Sequence, residues 1–293
     1  MARNAGGARA LSAVAVVVLA VGVSVLVALA LQHGKAVPAA SESPSTSPTT
    51  PSAVTTPTET ETPTPTETTA APVVSEERFL AFNDSQIWRG TAGSCDGDAG
   101  TLELSTDDGE SWSAAGPRTL ARVLGLSSYG QVDAELTATR DGCDPELLRT
   151  YSGGDEWESY PSELAGATYV SPDDGRTIVT PGDDVEAPCA TPVSARGSRG
   201  AVGVICDGAA FALGDGDWSE LVDNAIAMDA ASGVLVVAHI DEECDGGAAV
   251  TRFDGGDSAF VGCFDDVDPA APAALSVLGT DYMLWTGDSL KRL

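Results

Sequence analysis

The chain has 293 residues and carries 44 Asp+Glu against 15 Lys+Arg, a formal net charge of −29. An imbalance of that size and sign excludes nucleic acid and anionic lipid headgroups as partners, since both need basic patches. The two histidines, His33 and His239, rule out a histidine-rich metal site.

Residues 1–9 read as a cytoplasmic N-terminus and 10–31 as a transmembrane helix. The second segment is 22 residues without a charge, rich in Ala, Val and Leu, and long enough to span a bilayer core of about 30 Å. Arg3 and Arg9 precede it and Lys35 alone follows closely, so the positive-inside rule keeps the N-terminus in the cytoplasm. The other reading is a cleaved signal peptide with a site near Val37-Pro38-Ala39, although signal cores run only about 7–15 residues. Either way, the rest of the chain is exported, to the outside of the cell membrane.

Residues 32–75 form a Pro/Ser/Thr-rich disordered stalk, as in Thr62-Pro63-Thr64-Pro65-Thr66-Glu67. They offer too little apolar surface to offset the entropy of ordering, and their prolines favour extended chain. Their hydroxyl density suits O-glycosylation or a bare spacer.

Residues 76–293 form the one folding unit and hold 40 of the acidic and 12 of the basic residues. Short apolar runs bounded by turn residues, such as Val234-Leu235-Val236-Val237-Ala238-His239, read as buried strands. No window here has a 3.6-residue period, so the class is all-β.

One turn is spelled out: Ser105-Thr106-Asp107-Asp108-Gly109-Glu110-Ser111-Trp112. A hydroxyl and a carboxylate two residues apart can accept backbone N–H groups across a tight turn, Gly109 supplies positive φ, and Trp112 starts a strand. Thr150-Tyr151-Ser152-Gly153-Gly154-Asp155-Glu156-Trp157 keeps the hydroxyl, Gly154 and Trp157 with Ser152 in the Asp position. Ser171-Pro172-Asp173-Asp174-Gly175-Arg176-Thr177-Ile178 keeps Ser171, Asp173 and Gly175. The two tryptophans stand 45 residues apart, about one four-stranded blade. A second echo joins the ends, Asp84-Ser85-Gln86-Ile87-Trp88-Arg89-Gly90 with Asp281-Tyr282-Met283-Leu284-Trp285-Thr286-Gly287.

The 105–112 motif resembles the Asp-box (BNR repeat) of sialidase-like β-propellers. That resemblance implies a propeller of about five four-stranded blades, or six, one of them completed by strands from both ends of the chain. A β-sandwich with Asp-Gly turns is the competing fold. In that family the motif is structural, so Ser105, Asp107, Gly109, Trp112, Gly154, Trp157, Ser171, Asp173 and Gly175 are expected to build turns.

Catalytic sialidases add an arginine cluster, a Tyr/Glu pair and an acid. Here Ile87-Trp88-Arg89-Gly90 lacks their proline, which makes Arg89 a surface or inter-blade residue, and none of the five tyrosines has a matching context. His239 reads as a strand histidine. No catalytic, cofactor-binding or metal-ligating residue is identified. The acidic loops at 96–100, 241–245 and 265–268 lack EF-hand spacing and leave at most weak calcium binding.

The six cysteines, even in number, fit an oxidising compartment and could pair in 15 ways. Cys189 and Cys206 are symmetric about Gly197-Ser198, Cys244 and Cys263 flank Asp254-Gly255-Gly256-Asp257, and Cys95 and Cys143 are left for each other. The expected function is a membrane-anchored extracellular binding or scaffolding module for an envelope glycan or protein. The alternatives are a glycoside hydrolase or lyase using clustered carboxylates, and a surface protein whose acidity serves hydration.

Overall fold

The structure is a computed structural model that describes residues 77–129 and 133–293. The expected N-terminus, transmembrane helix and stalk therefore lie outside the described residues. Among those described, no helix is long and apolar enough to cross a membrane.

Among the described residues, twenty-two strands form six antiparallel sheets in chain order, the six blades of a propeller. Blade 1 is β1 (Arg78–Phe82), β2 (Ile87–Thr91), β3 (Thr101–Ser105) and β4 (Ser113–Ala114). Blade 2 is β5 (Arg122–Tyr129), β6 (Asp133–Thr139), β7 (Pro145–Thr150) and β8 (Glu158–Ser159). Blade 3 has β9 (Tyr169–Val170), β10 (Thr177–Val179) and β11 (Val185–Glu186). Blade 4 is β12 (Val193–Ser198), β13 (Ala201–Cys206), β14 (Ala209–Gly214) and β15 (Asp217–Val222). Blade 5 is β16 (Ala225–Ala231), β17 (Val234–His239), β18 (Ala248–Asp254) and β19 (Asp257–Phe264). Blade 6 has β20 (Ala273–Leu278), β21 (Asp281–Thr286) and β22 (Ser289–Arg292).

The count is thus six, the higher of the two counts expected. Residues 163–222 hold two blades, the first reduced. The innermost strands β1, β5, β9, β12, β16 and β20 neighbour one another in turn, and β20 returns to β1. Among the described residues no sheet combines strands from both ends of the chain. The expected shared blade is not formed by them.

Strands sandwiched between blades must bury both faces, which is why their sequences are apolar runs without alternation. All six residues of β17 are buried, whereas β19 at the rim begins with four exposed residues. Apolar clusters fill the seams. Phe79, Trp88, Val123 and Leu136 pack between blades 1 and 2, Val236, Val250, Leu275 and Leu284 between blades 5 and 6, and Leu80, Ile87, Met283 and Trp285 between blades 6 and 1. Each such buried side chain is worth about 1.5–3 kcal/mol.

Blade 3 shows its plan through register. Glu103 faces Ala114 and the Ala115 N–H donates to the Leu102 carbonyl at 2.9 Å. Arg149 faces Glu158 and the Tyr160 N–H donates to Leu147 at 2.8 Å. In the same way Thr177 faces Glu186 and the Ala187 N–H donates to Arg176 at 2.9 Å. So β10 and β11 are third and fourth strands. Where a first strand would pair, the chain passes through the 3-10 turn Leu164–Gly166.

Candidate functional site

First-to-second and third-to-fourth connections share one face of the ring, here the turn face. The second-to-third loops share the other, the loop face. The 105–112 turn joins β3 to β4. Buried Ser105 donates its Oγ–H to Asp107 Oδ1 at 2.8 Å and accepts the Gly109 N–H at 2.8 Å. Asp107 accepts the Ser111 N–H at 2.9 Å and the Ser111 hydroxyl at 2.5 Å. These donors, the Ser111 hydroxyl foremost, pull the Asp107 carboxyl down to about 2. Gly109 has φ 88°, and a Cβ there would stand 2.6 Å from Leu290 of blade 6.

The 150–157 turn, from β7 to β8, repeats this with hydroxyls. Thr150 Oγ1 accepts the Gly154 N–H at 2.9 Å and Ser152 Oγ accepts the Glu156 N–H at 2.9 Å. Gly154, at φ 93°, lies against Ala115 of blade 1. Trp157 donates its indole N–H to the Ala115 carbonyl at 2.9 Å and meets Trp88 edge-on, with centroids 6.2 Å apart. Both turns therefore hold one blade to the preceding one.

The 171–178 turn differs from that expectation. It joins β9 to β10, a second-to-third connection, and so lies on the loop face. Its working carboxylate is Asp174, which accepts the Arg176 and Thr177 N–H groups at 2.9 Å each and the Thr177 hydroxyl at 2.6 Å. Those bonds pull Asp174 down to about 2, the Thr177 hydroxyl contributing most. Ser171 Oγ accepts only the Asp173 N–H, at 3.3 Å, and Gly175 has φ 66°. With proline at position 172, the chain turns one residue later, so Asp173 is displaced from the acceptor role.

The echo between Trp88 and Trp285 is one of strand, not of position. Both stand on second strands, but Trp88 faces Ala81 beside its hairpin and Trp285 faces Ala274 at the far end of its ladder. Arg89 lies between blades 1 and 6. Its guanidinium carbon is 3.8 Å from the Trp112 ring centroid and 5.2 Å from that of Trp285, and its Nε donates to Glu103 at 2.8 Å.

The cysteines pair as Cys95–Cys143, Cys189–Cys206 and Cys244–Cys263, with Cα separations of 5.4, 5.6 and 5.6 Å. The first joins the second-to-third loops of blades 1 and 2. The geometry behind the second bridge is not the symmetric hairpin expected. The β12–β13 turn pairs Ser198 with Ala201, and an irregularity between Val193 and Arg196 shifts the register. Cys189 thus comes to Cys206 from the segment before β12.

Charged groups at the centre of the ring carry no motif in the sequence. Glu77 accepts the Ser194 N–H at 2.8 Å, linking blade 1 to blade 4 across the axis. Arg196 donates to the Arg78 carbonyl at 3.3 Å, lies 3.7 Å from Glu77, and stacks 4.8 Å over Phe79. Arg78 donates to the Gly287 carbonyl and stacks 4.2 Å over Trp285. Asp229 of β16 accepts the Ala230 and Val277 N–H groups at 2.8 Å each, and burial pushes its carboxyl up to about 6 against the pull of Arg196. The signals were faint: two arginines at 196 and 199 in a chain poor in base, and one carboxylate in the run Ala225-Ile226-Ala227-Met228-Asp229-Ala230-Ala231.

Among the described residues, concavities lie beside this centre. One of about 140 Å³ is lined by Ser127, Glu135, Thr137, Thr168, Arg196 and Asp229. On the turn face, grooves of about 350 and 470 Å³ flank the β12–β13 turn. The first runs between blades 3 and 4 past Thr168, Thr180, Ser198 and Asp215. The second runs between blades 4 and 5 over Leu213, Leu221, Leu235 and Phe253, and both share Arg199. No group of three or more His, Cys, Asp or Glu that could hold a metal is present among the described residues. The acidic loops therefore carry no such cluster there.

No protein-family model matches the sequence, and no curated protein matches it. Solved structures similar to the chain include SapL1 lectin in complex with alpha methyl fucoside, at 12% identity and TM-score 0.44, over 74% of this chain and 89% of that one. Another is YCF48 bound to D1 peptide, at 15% identity and TM-score 0.39, over 73% and 75%. A third is a Trypanosoma rangeli sialidase in complex with 2,3-difluorosialic acid, at 14% identity and TM-score 0.36 over 75% of this chain. The chain spans about half, 53%, of that sialidase. At these identities and scores the likenesses bring neither ligand nor activity with them.

Proposed function

We propose that the chain is a non-covalent binding module for an envelope glycan or protein, anchored to the cell membrane through residues 10–31. The observation that carries the binding reading is how the polar groups are divided. The arginines and carboxylates at the axis are engaged in holding inner strands together, while the two adjoining turn-face grooves stay open. Their lining of hydroxyls, glycines, partly buried apolar side chains and one arginine is the mixture that small-ligand and peptide-side-chain sites use.

Gly214 lines the larger groove, and a Cβ added there meets nothing within 4 Å. Gly214→Trp is therefore expected to fill the groove without disturbing the blade. Calorimetry of the purified chain against neutral and acidic oligosaccharides and extended peptides should find a binder that this variant weakens on the order of tenfold or more. A panel without a binder, or equal affinity in the variant, would refute the assignment.

A further inference from the structure

The charged groups at the axis are engaged, but a hydroxyl beside them is not. Thr137 of β6 is 6% exposed and lines the axial concavity of about 140 Å³, yet its side chain makes no hydrogen bond among the described residues. A buried hydroxyl without a partner is destabilising, so its place needs a reason. Gly125 of β5 is what leaves it open. The register shifts between Val123 and Gly125, Gly125 faces Thr137, and a Cβ at 125 would stand 3.6 Å from Thr137 Oγ1. Ser127 and Thr168 bring two more hydroxyls to the same space.

The charges around these hydroxyls are matched. Arg149 donates to Glu135 at 2.7 Å. Arg196 draws on Asp229, whose oxygens each accept one backbone N–H. An anionic ligand would meet two carboxylates whose cations are taken, and a cationic one would find those carboxylates already balanced. A neutral ligand rich in hydroxyls fits, because a hydroxyl can donate to a carboxylate and exchange bonds in either direction with Thr137. Leu126 and Ala195 add a small apolar surface. At about 30 Å³ per water, the space has room for about five waters, enough for the polar edge of one sugar ring.

This space adjoins the turn face. Gly166, Thr168 and Gly197 also line the groove between blades 3 and 4. They meet where blade 3 lacks a first strand, and Thr168 lies so close on Gly197 that a Cβ there would stand 2.2 Å from its Oγ1.

We infer that the axial concavity holds the terminal residue of a neutral glycan, hydrogen-bonded by Thr137, with the following residues passing Thr168 into the groove of blades 3 and 4. The inference rests on the reading of that groove as a binding site and commits it to one class of ligand.

NMR titration of the purified full chain with methyl glycosides of glucose, galactose and mannose tests this. One of them should move the Thr137 and Thr168 methyl signals saturably. Thr137→Val keeps the shape and has no hydrogen bond to lose, so it should weaken that binding about tenfold without lowering the melting temperature. Gly125→Ala, whose methyl covers the hydroxyl, should act alike. The methyl glycoside of glucuronic acid should bind more weakly than the neutral ones. No saturable shift with any neutral glycoside, equal affinity in Thr137→Val, or preference for the acidic sugar would overturn the inference.

Gly182→Trp separates this inference from the groove reading. A Cβ added at 182 meets only Thr180 Oγ1, at 4.0 Å, so the indole can enter the groove. The variant should weaken neutral tri- and tetrasaccharides and leave the methyl glycosides unchanged. Unchanged oligosaccharide affinity would refute the groove while Thr137-dependent binding of the methyl glycosides still stood. Weakened oligosaccharides with no response at Thr137 would refute the axial seat and keep the groove.

Discussion

Asp107 and Asp229 both have their oxygens engaged by donors, yet they stand on opposite sides of the ordinary carboxylate range. Asp107 is on the surface, where added donors only favour the charge, whereas Asp229 is desolvated in the channel wall. Asp107 and Asp174 bind protons less tightly folded than unfolded, so their contribution appears as pH rises from about 2 to about 4. Asp229 has the reverse sign. Between about pH 4 and 6 the folded chain holds a proton that the unfolded chain has released, and stability falls as pH rises through that window. The loss approaches about 3 kcal/mol by pH 7. Denaturant melts between pH 4 and 7 should show this slope in the natural chain and lose it in Asp229→Asn; an unchanged slope would remove Asp229 as its source.

The turn glycines separate the two kinds of turn. Gly154→Ala combines positive φ with a Cβ 2.6 Å from the Ala115 carbonyl and is expected to cost about 3 kcal/mol. Gly175→Ala meets nothing within 4 Å and should cost only the left-handed backbone term, about 1 kcal/mol. Equal losses in thermal melts would show that the 150–157 turn does not brace its neighbour. The sequence made the first turn legible because every acceptor and its spacing are spelled in one octapeptide. Asp173 was misread because spacing cannot tell which of two adjacent aspartates a proline-bearing turn presents.

At the scale of elements, the disulfides tie loops to strands and loops to one another. Cys95–Cys143 closes 48 residues and Cys189–Cys206 closes 17. Loop entropy alone assigns them about 4 and about 3 kcal/mol. Paired Cys→Ala variants should rank in that order in denaturant unfolding, and Cys95/Cys143 should also loosen the seam of blades 1 and 2. The reverse order would mean that the short bridge chiefly supports the junction leading into β12. Individual strands such as β17 were readable from composition. Blade 3 was not, because a blade that has replaced its first strand with a 3-10 turn keeps neither the length nor the motif that marks a repeat.

On the scale of the whole molecule, the ring closes through inner strands drawn from 201 residues of chain, Arg78 to Leu278, and the groups that fasten its centre are far apart in sequence. Glu77 and Ser194 are 117 residues apart and Arg196 and Arg78 are 118. No local pattern could have paired them, which is why the central site was invisible while the turns were plain. Glu77 and Arg196 are both largely buried, with side chains 10% and 13% exposed. Removing either alone leaves the other desolvated, at about 3–5 kcal/mol, whereas removing both should cost less than the sum. A double-mutant cycle with Glu77→Ala and Arg196→Ala in urea checks this, and additive losses would deny the link.

That link makes the ring something other than a hoop. Blades 1 and 4 are opposite members of a six-membered cycle, and a bond between them is a chord. The molecule becomes bicyclic, one lobe running through blades 2 and 3 and the other through blades 5 and 6. Twist introduced into one lobe can relax there without crossing the chord, and blade 4 carries the pivot that both lobes share.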